Sequence, residues 1–135
     1  MYTPTALAFD TSAPSYLISI CSLTSTNYAI SSLESVKLLD LATQTLSSSS
    51  IKISGLGRQV LKWSENELVI ASSECLALHD IRQQNTLVQS LAGIKKPPLL
   101  CGAVSPSSNV IASGSELFSH EAYIDLWSVV FCSAD

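Results

Sequence analysis

The stretch NVIASGSELFSHEAYIDLWSVV, residues 109–130, decides the fold. Its first half is apolar and ends in Ser113-Gly114-Ser115, and its second half, YIDLWSVV, is an aromatic and β-branched run with Trp127 near its end. Residues of these types suit a pleated, half-buried surface, so the two halves read as strands joined by the polar turn ELFSHEA at residues 116–122.

The same grammar occurs twice more, in NYAISSLESVKLLDLAT at residues 27–43 and in ELVIASSECLALHDIRQ at residues 67–83. Sliding the copies together sets Ser31-Ser32 on Ser72-Ser73 and then on Ser113-Gly114, a shift of 41 residues each time. The closing pairs Leu39-Asp40, His79-Asp80 and Trp127-Ser128 follow at shifts of 40 and 48, the longer one reflecting the turn at residues 116–122. A further apolar run precedes each pair: YLISICS at 16–22, QVLKWS at 59–64 and PLLCGAVS at 98–105. Weaker strands follow the first two pairs, TLSSSSIKIS at 45–54 and NTLVQSLAG at 85–93.

Four short strands per unit, with turn residues between them, predict an all-β fold. The runs are too short and too rich in Val, Ile and Ser for helices. Four-stranded units recurring about every 40 to 45 residues are the period of propeller blades. The scant in-out alternation along the runs agrees, because a blade is covered by neighbours on both faces. The expected organisation is a lead-in over residues 1–15 and a partial propeller over 16–135, with units at 16–58, 59–97 and 98–135. Its sheets are expected to be antiparallel and its ring open.

The pattern Ile111-Ala112-Ser113-Gly114-Ser115, a variable turn, then Ile124-Asp125-Leu126-Trp127 resembles the WD-repeat signature, whose units close on Trp-Asp. No copy is intact here, since the closing pairs are Leu39-Asp40, His79-Asp80 and Trp127-Ser128. The Gly-His pair that precedes such a blade is missing from every unit, as is the aspartate of the tight turn between the second and third strands. The resemblance implies structural repeat roles for Asp40, Asp80, Trp127 and Ser113, and leaves only Ser113 and Trp127 to stand in for the family's buried hydrogen-bond network. It also implies an interaction scaffold that binds proteins or peptides through loops on a rigid framework.

Composition narrows the function classes. Hydrophobic residues make up 47% of the 135 and charged ones 13%, far too apolar for disorder. A net charge of -4, with seven Lys plus Arg and no basic cluster beyond Lys95-Lys96, argues against a nucleic-acid partner. No apolar run approaches the roughly 18 residues of a membrane span, and MYTPTALAFD lacks the features of a signal peptide. The expected setting is intracellular, cytoplasmic or nuclear. Cys21, Cys75, Cys101 and Cys132 are scattered without zinc-ligand spacing and read as free thiols. No cofactor or metal is expected.

Ring closure takes about four to eight blades. Three units are too few, so an apolar face is expected to stay bare at each end, the mark of a partner surface or an aggregation hazard. The last unit has room only for FCSAD after Val130, too little for its fourth strand. The chain therefore reads as the N-terminal part of a longer propeller, a piece that docks onto further blades, or a truncated remnant. By itself it is expected to aggregate or partly unfold.

The chemical candidates have plain alternatives. His79-Asp80, with a serine, could form a hydrolase triad, but a strand-end structural role is the simpler reading. His120 beside Glu116 and Glu121 could hold a metal, though a solvated loop explains them as well. Gly55-Leu56-Gly57 lacks the third glycine of a dinucleotide loop and reads as a turn between units. The serines at 47–50 are either a modification site or an exposed edge. The expected partner contact is the loop 116–122, with Phe118, His120 and Glu121, because it is the longest insertion between paired strands and is acidic.

Overall fold

The computed structural model describes residues 16–91, 98–116 and 121–129. They form three antiparallel sheets and a single turn of 3-10 helix at Pro106–Ser108. The first sheet runs in the order β1 (Leu17–Ser22), β2 (Asn27–Ser32), β3 (Ser35–Asp40), with an outer strand broken into β4 (Thr45–Leu46) and β5 (Ile51–Lys52). The second is β6 (Gly57–Lys62), β7 (Glu67–Ser72), β8 (Leu76–Asp80), β9 (Leu87–Leu91). The third is β10 (Leu99–Ser105), β11 (Val110–Ser115), β12 (Ile124–Ser128), with no fourth strand among the described residues. Among the described residues no helix is long and apolar enough to cross a membrane.

Local hydrogen bonds show why each unit folds alike. The carbonyls of Thr26, Asn66 and Asn109 accept the N–H groups of Leu41, Ile81 and Val129 at 2.8, 2.9 and 2.7 Å. At the far end of the hairpin, Ser32 Oγ accepts the Ser35 N–H at 3.2 Å, Ser72 Oγ the Cys75 N–H at 3.2 Å, and Ser115 Oγ the Tyr123 N–H at 2.8 Å. Each hydroxyl caps the donor that opens the next strand, which is what a short polar side chain at a turn can do. The repeat thus aligns Ser32 with Ser72 and Ser115, steps of 40 and 43 residues rather than an even 41. Serine pairs matched by identity fall one residue out of step between the first two units and two between the second and third, because only the capping serine is held by geometry.

The sheets lie side by side, joined through their first strands. Ser19 Oγ on β1 accepts the Val60 N–H of β6 at 3.1 Å, and Gln59 Oε1 on β6 accepts the Gly102 N–H of β10 at 2.6 Å. Two further backbone bonds repeat the link, Gly57 N–H to Leu33 O at 2.8 Å and Leu99 N–H to Ser73 O at 3.2 Å. Gly57 is required there, since a Cβ would collide with the Ser32 carbonyl oxygen.

Each junction between sheets has its own core. Ala29 and Val36 of the first sheet pack with Val60, Leu68 and Ile70 of the second. Val69, Leu76 and Leu78, on the opposite face of the second sheet, pack with Leu99, Ile111 and Val129. Leu68, Leu76, Leu78 and Ile111 are at most 1% exposed, and each contributes about 1.5–3 kcal/mol by leaving water. The middle sheet is therefore apolar on both sides, as a blade between blades is. The arc is open: on the outward face of the third sheet Ile124 and Leu126 are 80% and 70% exposed, and on that of the first sheet Ile20 is 61% exposed although Ile30 beside it is buried. This is an all-β, partial propeller arrangement of three sheets.

Candidate interaction surfaces

The loop after β11 springs from a well-tied base. Ser115 N–H donates to Tyr123 O at 3.0 Å, opposite the capping bond already described, and Glu116 N–H donates to Pro98 O at 2.8 Å. Arg58 on β6 reaches across, its Nε donating to Leu99 O at 3.1 Å and its Nη2 lying 3.4 Å from Glu116 Oε1. On the returning side, the Tyr123 hydroxyl donates to Glu121 Oε2 at 3.0 Å, which holds the phenol above its usual range. Of the three expected contact residues, Glu121 is exposed beside this base. Phe118 and His120 lie outside the described residues.

His79 and Asp80 close β8 and point to opposite faces, as successive strand residues must. His79 is 7% exposed, and its Nδ1 lies 2.8 Å from Thr86 Oγ1. Burial lowers its pKa, favouring the neutral ring. Asp80 turns the other way: Oδ1 accepts the Arg82 N–H and Nε, both at 3.0 Å, and Oδ2 accepts Nη2 at 2.8 Å. The hydrogen bonds from the Arg82 side chain and backbone, with its positive charge, hold the Asp80 carboxyl below its usual range. A triad would need the carboxylate on the imidazole, and here each has a different partner. Asp40 occupies the matching place on β3, its Oδ1 accepting the Ala42 N–H at 2.9 Å.

A cleft of about 540 Å3 opens between the outer parts of the first and second sheets, lined by Ser47, Ser49, Ser50, His79, Gln84 and Thr86 among others. It exists because the serine run interrupts the outer strand of the first sheet. Ser47 pairs with Leu38 in both directions, its N–H donating to the Leu38 carbonyl at 2.8 Å and its Oγ accepting the Leu38 N–H at 3.0 Å. Ser48, Ser49 and Ser50 are exposed. The run of serines was visible in the sequence, but the wall facing it, from β8 and the turn after it, was not.

Ser113 is 2% exposed, and its Oγ has no hydrogen-bond partner among the described residues. Trp127, half-buried, packs against the core between the second and third sheets together with Leu61 and Val104. Trp63 is 6% exposed in the same core. Gly55, with φ at 82°, makes the turn between the first and second sheets. Of the cysteines, Cys21 and Cys75 are half-buried and Cys101 is exposed, all three free, and burial raises the Cys21 pKa. No group of three metal-binding side chains converges among the described residues.

No family model matches the sequence, and no curated protein matches it. Among solved structures, the chain is similar to the Cps50 (Swd1) β-propeller domain of Myceliophteria thermophila, at 14% identity and a TM-score of 0.41. That match covers 86% of this chain and 55% of the other, so the chain spans little more than half of the domain's length. The blade arrangement described above rests on the strand ladders and the two junction cores.

Proposed function

We propose that this chain is a non-catalytic interaction scaffold of the WD-repeat type, which presents the loop at residues 116–122 to a protein or peptide partner. The observation that supports the reading is the base of that loop. Ser115 and Tyr123 are bonded in both directions, and Arg58 ties Glu116 to the second sheet. A loop held at both ends by rigid strands loses less conformational freedom on binding. In this reading Phe118 supplies the apolar part of the contact, and His120 and Glu121 the polar part. The partner is not a nucleic acid or a membrane, and the site of action is the cell interior.

Within the WD-repeat proteins, the early Tyr16-Leu17 strand, Lys37-Leu38-Leu39-Asp40 and the lengthened acidic turn before Trp127 resemble the start of WD repeat-containing protein 89. That affiliation belongs to the proposal, as does the need for further blades at the bare ends. Proximity labelling in cells tests the loop. The Phe118→Ala, Glu121→Ala double variant is expected to lose neighbours that the unaltered chain marks, and an unchanged set of neighbours refutes the loop as the contact. Because His79 is engaged by Thr86 and Asp80 by Arg82, a fluorophosphonate probe is expected to leave every serine unlabelled.

A further inference from the structure

The second unit shows what the carboxylate at the close of a third strand can hold. Asp80 meets the guanidinium of Arg82, two residues on, with Nε 3.0 Å from Oδ1 and Nη2 2.8 Å from Oδ2. The first unit repeats the frame. Leu41 N–H donates to Thr26 O as Ile81 N–H does to Asn66 O, and Ala42 N–H donates to Asp40 Oδ1 at 2.9 Å as Arg82 N–H does to Asp80 Oδ1 at 3.0 Å. Ala42 therefore stands in the place of Arg82, and a methyl group cannot do what the guanidinium does. The Asp40 carboxylate is left with a backbone donor and with no cation on it among the described residues.

That carboxylate lines a cavity of about 320 Å3 at the seam between the first and second sheets, within the range of about 300–1,000 Å3 that small ligand groups occupy. A second carboxylate, Glu65, comes to the cavity from the turn between β6 and β7. The second unit has its own second carboxylate, Glu67, which stands opposite Asp80 across the strands, whereas Asn27 stands opposite Asp40. Leu23, Leu38 and Ile81 give the cavity an apolar wall. Methylenes beside apolar side chains and a planar fork on a carboxylate are what an arginine side chain needs, and a lysine lacks the fork. The larger cleft behind the serine run shares Leu38, Ser47 and Ile81 with this cavity, which leaves room for the chain that carries the arginine.

We propose that this cavity takes an arginine side chain of a partner peptide, the guanidinium bonded to Asp40 as that of Arg82 is bonded to Asp80, with Glu65 as the second anion. The cavity lies at the opposite end of the strands from the loop at residues 116–122, because Asp40 ends β3 where Ile124 begins β12. The two sites are therefore independent, and Phe118→Ala with Glu121→Ala leaves arginine binding intact.

Titration of the isotope-labelled full chain, followed by its amide resonances, tests it with the peptide acetyl-Gly-Ser-Arg-Ser-Gly-amide as the probe. Saturable shifts are expected at Ala42 and Asn66. The same peptide with citrulline, which keeps the shape and loses the charge, is expected to bind about tenfold more weakly or worse. Asp40→Asn retains an acceptor for the Ala42 N–H and is expected to lose about as much. Ala42→Arg, at an exposed position, supplies the missing guanidinium from within and is expected to block the peptide while resonances away from the cavity stay in place. This variant decides the matter should Asp40→Asn fail to fold. No saturable shift at either amide, equal binding of the citrulline peptide, or unchanged binding to Ala42→Arg would each overturn the proposal.

Discussion

Gln59 and Gly102 join the second and third sheets through one hydrogen bond, the side-chain Oε1 of Gln59 accepting the Gly102 N–H at 2.6 Å. Ser19 does the same for Val60 one junction earlier, at 3.1 Å. Replacing Gln59 with Leu keeps the bulk and removes the acceptor, leaving a half-buried N–H without its partner. The expected loss is about 1–3 kcal/mol, read as a lower urea midpoint with an unchanged slope.

Gly57→Ala is expected to destabilise for a steric reason. The added methyl would meet the Ser32 carbonyl and, at 3.0 Å, Ile53 Cδ1. Both lie in the packed seam between the first two sheets, so the strand must shift. A cost of about 1–3 kcal/mol is typical of overpacking, and thermal unfolding checks it. A midpoint equal to that of the unaltered chain would show that the seam yields freely.

Ser113→Ala is expected to act in the opposite direction. The Ser113 hydroxyl is buried without a partner among the described residues, and Ile30 and Ile70 occupy the equivalent places in the other sheets. Removing an unpaired buried hydroxyl relieves a desolvation cost of about 1–3 kcal/mol. The variant should unfold at a higher denaturant concentration, and a lower one would reveal a partner for the hydroxyl.

Acid sensitivity should trace to His79. Burial lowers its folded pKa below the usual 6.5, so the unfolded chain binds a proton more readily than the folded one. Stability is full above pH 6.5 and falls progressively as the pH drops from there to the folded pKa. Asp80, held low chiefly by the hydrogen bonds from Arg82, adds a second loss only as the pH passes below the usual carboxylate value toward its own. Leu39 stands where His79 stands, one sheet earlier, so His79→Leu is expected to flatten the first of these slopes and leave the second. Denaturant midpoints at pH 7.5, 5.0 and 2.5 separate the two.

The strand grammar, the repeat and the closing positions Asp40, Asp80 and Ser128 could all be read along the chain. Local hydrogen bonding and the period of apolar residues act over a few residues, and both leave their mark on residue types. The open arc could also be inferred, because it follows from counting units. The exact equivalence of Ser32, Ser72 and Ser115 could not, since only the hydroxyl that caps the next strand shows which serine of a pair matters. Nor could the separate partners of His79 and Asp80, the cleft behind the serine run, or the orphaned Ser113 hydroxyl. His79 and Asp80 find their partners within the turn after β8, but which side each takes, like the cleft and the orphaned hydroxyl, depends on how sheets some 40 residues apart pack, a pairing that tertiary structure alone selects. The same packing buries Leu78 and leaves its counterpart Leu126 in water, although the two residues are identical in type and in place.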